Sequence, residues 1–522
     1  MSLLLFIRPC RYTCWLACIL LLGYAASVHA DPKPLSKEEQ AKVDKAIDKG
    51  VAYLKRTQTK EGNWPTHWKN RFLVGECALP AYALLEAGVP ANDPAIQKAA
   101  AFIRPKVANT DDTYELSLAV LFFDRLGDAK DKKLIQTCAL RLIAGQYRTG
   151  GWSYICPRFK EASQEADLLT ALEELSKQIK DEKSTKEALK ELALPESTLI
   201  WPLEPPWPVQ SRIDYQDFRR KIRHYQLPRK LKGFKGLAVF QDLEKLNWRE
   251  QTNRKDSKES YPLVGVTDNS NTQFALLALW VAQRHGTPTE PTFRLLVERF
   301  ERSQYPNGDW NYLYTHSLKE KLEARRGRPS MICVGLLGLA IGRGLKFPTP
   351  LGSPPSGKED LRILTGLAAL YSTIGVPAGQ MDEPIPMQDI PMRDIYFLWS
   401  LERVGMLFNL QTLGDKEWYR WGAEILVTNQ LDTGEFNAAD WAENKMYSPT
   451  GAGQASPGFY GPILKTAFAL LFLKHSHPMK DLTPKLPFTP KELNEGIARL
   501  RSNDSRLERS TPTPSRNTKP ER

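Results

Sequence analysis

The chain has 522 residues, 42% of them hydrophobic and 25% charged, and 72 Lys and Arg against 60 Asp and Glu give a formal net charge of +12. That length is enough to bury a sizeable core. The basic excess is too dilute for a nucleic-acid-binding surface, so no nucleic-acid partner is expected. Of the cysteines, Cys77, Cys138, Cys156 and Cys333 lie beyond the first thirty residues. They are too widely spaced for a disulfide framework or a zinc site; one bridge or four buried thiols both fit.

Arg8 and Arg11 lead into an apolar run from Tyr12 to Ala26, and Val28-His29-Ala30 has the small-residue pattern of a cleavage site. Residues 1–30 therefore predict a signal peptide and a secreted or periplasmic product. A retained N-terminal membrane anchor is the alternative, although the run is shorter than the about 20 residues a span needs.

Two kinds of helix then alternate, and no strand pattern competes with them. Amphipathic helices are predicted near 38–57, 94–104, 131–145, 289–303, 359–374 and 416–429. Ser36-x-x-Glu39 and Ser356-x-x-Glu359 are capping boxes, and Asp93-Pro94 places proline at a first helical position. Almost wholly apolar helices are predicted near 75–87, 113–126, 271–285, 329–342, 393–405 and 463–474. Gly88, Gly127, Gly286 and Gly405 are placed to end four of them. A helix apolar on every side is buried on every side, and one apolar on a single face lies at the surface. The alternation predicts an all-α fold, an (α/α)6 toroid of six helical hairpins, with a large insertion between the third outer and third inner helix.

The toroid is expected over 31–156 and 267–484. Residues 157–266 read as an inserted lid or subdomain, and 485–522 as a polar, disordered tail. Most connections from outer to inner helices are long, and long loops in a compact domain are usually functional or disordered. The end where the inner helices begin is therefore the candidate working face.

One phrase is repeated four times. Gln58…Gly62-Asn63-Trp64, Gln146…Gly150-Gly151-Trp152, Gln304…Gly308-Asp309-Trp310 and Gln430…Gly434-Glu435-Phe436 each follow an outer helix. On chemistry alone these residues are clamps: a glycine for the turn, an indole to pack, a glutamine to satisfy free backbone groups. The phrase resembles the QW repeat of triterpene (squalene-type) cyclases, whose toroid is shared with protein prenyltransferase β subunits. Segments 268–280 and 393–405 are similar to parts of uncharacterised secreted bacterial prenyltransferase/squalene-oxidase repeat proteins. The resemblance spans about 36–480 and implies the toroid; fold alone does not carry activity.

Asn109-Thr110-Asp111-Asp112-Thr113 opens an inner helix. Squalene-hopene cyclases carry Asp-x-Asp-Asp-Thr at such a place, and the resemblance maps their proton donor onto Asp111, with Asp112 beside it. This chain has Asn109 where the family has its first aspartate. Read from the residues alone, an aspartate here caps a helix and complements its dipole. Asp268-Asn269-Ser270-Asn271-Thr272-Gln273 is a run of polar residues entering an apolar helix. It reads either as capping and loop tethering or as the polar wall of a central ligand cavity. Tyr114, Glu115, Arg393, Asp394, Tyr396 and Glu402 hold comparable positions on other inner helices.

The Asp-x-Cys and distant His of a prenyltransferase zinc site are absent, as are thioester, Gly-x-Ser-x-Gly and phosphate-loop motifs. No metal or cofactor is expected. His67 and His316 are lone histidines in long loops, surface or packing residues unless they act as acid–base groups. The basic run 219–235, interleaved with Tyr225 and Phe234, faces either solvent or an anionic surface or polysaccharide. Three functions remain: a binding or assembly module with an unidentified cavity ligand; a carbohydrate-active lyase or hydrolase; and a terpenoid-type cyclase using Asp111.

Overall fold

The computed structural model describes residues 34–65, 72–147, 149–156, 158–159, 162–179, 267–314, 329–347, 360–379, 381–382, 394–436 and 461–510. The expected signal peptide 1–30, the basic run 219–235, His67, His316 and Arg393 lie outside the described residues.

In chain order the helices are α1 (Lys37–Thr57), α2 (Leu73–Glu86), α3 (Pro94–Val107), α4 (Thr113–Leu126), α5 (Lys132–Ala144) and α6 (Ala162–Ile179). The pair β1 (Thr267–Asp268) and β2 (Leu313–Tyr314) flanks α7 (Asn269–Ala282) and α8 (Glu290–Ser303). Next come α9 (Pro329–Gly344), α10 (Leu361–Tyr371), α11 (Ile395–Leu407), α12 (Trp418–Thr428), α13 (Pro462–Leu473) and α14 (Pro490–Ser510).

The helices divide by burial as the alternation predicts. Every residue of α7 is buried, and so is every residue of α9 from Ser330 to Gly344. By contrast α1 buries Val43, Ala46, Ile47, Gly50, Tyr53 and Leu54, a single face at helical spacing. The all-buried helices pack in cyclic order: α2 on α4, α4 on α7, α7 on α9, α9 on α11, α11 on α13, and α13 back on α2. The amphipathic helices α1, α3, α5, α8, α10 and α12 lie outside this closed ring. Small residues let the two layers approach: added side-chain carbons at Gly335 and Gly338 would collide with Trp310 and Phe300.

The repeated phrase fastens one outer helix to the next. Gln58 Nε2 donates to Gly62 O and to Ala95 O on α3, both at 2.8 Å. Gln146 Nε2 donates to Gly150 O and to Thr292 O on α8, both at 3.0 Å. Gln304 reaches Arg362 O on α10 at 2.8 Å. Gln430 reaches Ala46 O on α1 at 2.9 Å, which fastens the last outer helix to the first. Each indole donates to a carbonyl of its own outer helix: Trp64 to Leu54 O, Trp152 to Leu142 O, Trp310 to Phe300 O. The glycine is required twice over. Gly308 has φ +88°, and a side-chain carbon there would run into Thr365 O of α10.

Two junctions lack the phrase and use carboxylates instead. Between α3 and α5, Arg104 forks onto Asp131 at 2.7 and 2.8 Å. Between α10 and α12, Glu424 accepts the Ala378 and Gly379 N–H groups at 2.6 and 3.0 Å.

Some local expectations change. Gly405 does not end its helix: α11 runs on to Leu407, and Gly405 is small because the Trp418 ring crosses its backbone. The N-cap of α10 is Asp360, which accepts from Arg362 N and Ile363 N, so that helix begins after the predicted capping box. The polar tail contains α14, which packs on α10 and buries Leu493 and Ile497. Two apolar residues four apart make one helical contact stripe despite the polar composition around them. Of the insertion, α6 packs on α5 and α8. All four described cysteines are buried free thiols. Among the described residues no helix is long and apolar enough to cross a membrane.

Candidate functional site

The starts of α4, α7 and α11 share a common device. Asp112, Asp268 and Asp394 are their N-caps, accepting from Tyr114 N, Asn271 N and Tyr396 N at 2.8, 2.7 and 2.9 Å. Each cap brings the next inward side chains to the same end of the ring.

Those side chains form an aromatic group. Phe274 of α7 stacks on Trp399 of α11 with ring centroids 5.1 Å apart, and Tyr114 of α4 meets Phe274 edge-on at 5.1 Å. Tyr396 and Trp399 both pack on Phe468 of α13, at 6.1 and 5.2 Å. Tyr154 closes on Tyr114 at 5.9 Å. Four inner helices thus supply one continuous aromatic surface.

A hydroxyl network edges this surface. Tyr114 Oη pairs with Ser270 Oγ, which lies 3.2 Å from Tyr312 Oη. Tyr396 Oη donates to Gln273 Oε1, and Gln273 Nε2 donates to Ser400 Oγ at 3.2 Å. Burial pushes the Tyr114 phenol well above its usual range, and Tyr312, Asp268, Tyr154 and Tyr396 all add to the effect. A short ladder sets these loops: Asp112 bridges Ile155, Trp152 bridges Asp268, and β1 pairs with β2 through Thr267–Tyr314 and Asp268–Leu313.

The predicted residues separate into groups. Tyr114, Gln273 and Tyr396 join the aromatic and hydroxyl surface. Asp112 is buried, and burial, then the neighbouring Glu115, raises its carboxyl well above the usual carboxylate range. Burial raises Asp268 to about 6. Asp111 is partly exposed, 3.5 Å from Arg158 Nη2. Asn271 Nδ2 donates to Asp268 Oδ2 at 2.7 Å.

Asn269 faces away from the ring's centre, where its Oδ1 accepts from Arg299 Nε and Nη2 of α8 at 3.1 and 2.9 Å. Glu115 turns toward α2, whose own N-cap residue, Phe72, has no side chain that can cap it. Glu115 Oε1 accepts Val74 N–H at 2.7 Å and Gly75 N–H at 3.3 Å, and Thr110 Oγ1 donates to Oε2. It caps a neighbouring helix from across the interface.

Sequence reasoning missed Phe274, Trp399 and Phe468, which are indistinguishable from core residues in an all-apolar helix. It also missed Tyr154 and Tyr312, which carried a signal. Each stands two residues after the tryptophan of a repeat, as Trp152-x-Tyr154 and Trp310-x-Tyr312.

The arrangement defines a mostly helical α/α toroid whose inner-helix starts carry an aromatic surface edged by hydroxyl groups. No protein-family model matches the chain. Over 62 residues, 12% of this chain, it is 45% identical to squalene-hopene cyclase of Bradyrhizobium diazoefficiens, of which the match covers 9%. The matched stretch is thus a small part of that relative. Solved structures of the type II terpene cyclase MstE from Scytonema, one with merosterolic acid A and one with geranylgeranyl dihydroxybenzoate, align over 85% and 87% of this chain and 100% of theirs. Identity is 12% and 11% and the TM-score is 0.26 in both, too low to assign a shared fold. In its repeat, its ring of helices and that stretch of sequence, the chain resembles the squalene cyclase-type α/α toroid proteins.

Proposed function

We propose that the working end receives an unsaturated isoprenoid chain and that the protein is a terpenoid (squalene-type) cyclase-like enzyme, with Asp112 as the acid. The observation that carries this is the aromatic surface built by four inner helices beside a buried carboxyl, Asp112, whose hold on its proton burial strengthens. Aromatic faces stabilise a nearby cation, and only a neutral carboxyl can protonate an alkene. The Asp112 O–H bond would break as a C–H bond forms at the terminal alkene. Ring closures would carry the cation inward, and loss of a proton at the end would restore neutrality, so product and substrate are isomers.

The family pattern assigns the donor to Asp111. The ion pair of Asp111 with Arg158 and the burial of Asp112 favour moving that role by one residue. The bridge of Asp112 to Ile155 and the Thr113 N–H bond to Tyr154 O at 2.8 Å put Asp112 beside the aromatic group.

A second reading, binding without turnover, is favoured by one observation: both cap bonds of Asp112 occupy the same oxygen, Oδ1. The carboxyl is then structural only if its other oxygen never meets substrate. Incubating the full chain with squalene and with geranylgeranyl-bearing phenols, followed by mass spectrometry, separates the readings. Isomers of unchanged mass and shifted retention support the enzyme; bound, unaltered substrate supports the module; no binding refutes both.

A further inference from the structure

Below the aromatic surface α11 carries a buried cation. Arg403 stands nine residues after Asp394, about 13 Å deeper along the helix at 1.5 Å per residue. Its guanidinium lies 5.1 Å from the Trp399 ring centroid, and both side chains are 2% exposed. Arg403 Nη1 donates to Ser476 O, and Ser476 Oγ lies 3.1 Å from Tyr82 Oη.

Three donor atoms here are left over. Trp399 Nε1, Arg403 Nε and Arg403 Nη2 are buried and have no hydrogen-bond partner among the described residues. A buried N–H without an acceptor is costly, and one on a cation more so. Among the described residues the carboxyl paired with the guanidinium is Glu402, with Oε2 3.1 Å from Arg403 Nη2. Burial pushes that carboxyl up to about 8, which weakens it as a counter-ion for Arg403.

We propose that the floor of the ring, between Trp399 and Arg403, holds the carboxylate of an acidic isoprenoid. Neighbouring buried donors, one side chain of them cationic, fit an anionic acceptor better than a hydroxyl, which would bring its own donor. The proposal rests on the isoprenoid reading and adds a direction to it: acid head at the floor, terminal alkene toward Asp112 at the mouth.

The test is calorimetric titration of the full chain with geranylgeranoic acid, geranylgeraniol and the hydrocarbon of equal length. The acid should bind about tenfold tighter than the hydrocarbon, the scale of one charged hydrogen bond. Trp399→Phe keeps a ring against Phe274 and should remove most of that preference, weakening the acid more than the hydrocarbon. If Trp399→Phe does not fold, Arg403→Lys keeps the charge, loses the fork, and should weaken the acid alone. Equal affinity for acid and hydrocarbon overturns the floor site and leaves the isoprenoid reading standing. An equal loss for all three ligands in the variant makes Trp399 a packing residue and also overturns the floor site. No binding by any of the three overturns both.

Discussion

Replacing Glu115 by alanine separates a ligand-binding role from the helix-capping one. Its Oε1 accepts two N–H groups at the start of α2, at 2.7 and 3.3 Å, where the N-cap residue Phe72 supplies no side-chain cap. Glu115→Ala strands both donors in a buried interface and removes the partner of Thr110 Oγ1. A lost cap costs about 1 kcal/mol, and an unsatisfied buried donor about 1–3 kcal/mol. Part of the loss is offset because burial has already raised the Glu115 carboxyl and so weakened it as an anion. The net expectation is about 3 kcal/mol. Glu115→Gln retains an amide oxygen for the same N–H groups and should cost about 1 kcal/mol. Urea unfolding monitored by far-UV circular dichroism, with the full chain, reads both. A Glu115→Ala loss below about 0.5 kcal/mol, or a loss of ligand binding with no loss of stability, would refute the capping role.

Glu402→Gln tests the buried carboxyl. A folded-state value of about 8, above the ordinary 4.5 of a free glutamate, means that the folded protein holds the proton more tightly. The resulting stabilisation is present at pH 4–5 and is lost as pH rises through 8, at most about 5 kcal/mol in all. The variant should therefore gain thermal stability over wild type at pH 8.5 and little at pH 5; equal shifts at both would contradict this. Gly308→Ala should destabilise by about 3 kcal/mol or more in thermal unfolding, since it meets both a left-handed φ and a carbonyl of α10. Gln430→Leu leaves Ala46 O and Gly434 O without their donor and should cost about 1–2 kcal/mol by the same assay. The thiols of Cys77, Cys138, Cys156 and Cys333 should react with a thiol reagent only after denaturation, because all four are buried.

The alternation of one-faced and all-apolar helices was legible because burial on every side leaves a compositional trace. The clamps were legible because a turn glycine, an amide and an indole at fixed spacing have one economical use. The direction in which a polar side chain turns at a helix start left no such trace. Glu115 and Asn269 look alike in sequence to Tyr114 and Gln273. One pair faces a neighbouring helix, Glu115 toward α2 and Asn269 toward Arg299, and the other faces the aromatic surface. Aspartate at an N-cap is equally silent about protonation, which depends on neighbours brought from elsewhere in the chain. Phe274, Trp399 and Phe468 were hidden for the opposite reason: they sit among residues that are apolar throughout, and only the ring's closure sets them against one another.

The most direct test is the product profile of Asp112→Asn and Asp111→Asn after incubation with squalene or a geranylgeranyl-bearing phenol. Asparagine is a good N-cap, so Asp112→Asn should keep α4 and the fold while removing the transferable proton. Cyclised isomers from wild type and Asp111→Asn, with none from Asp112→Asn, are the expected result. Undiminished cyclisation by Asp112→Asn, or its loss in Asp111→Asn alone, would contradict the assignment.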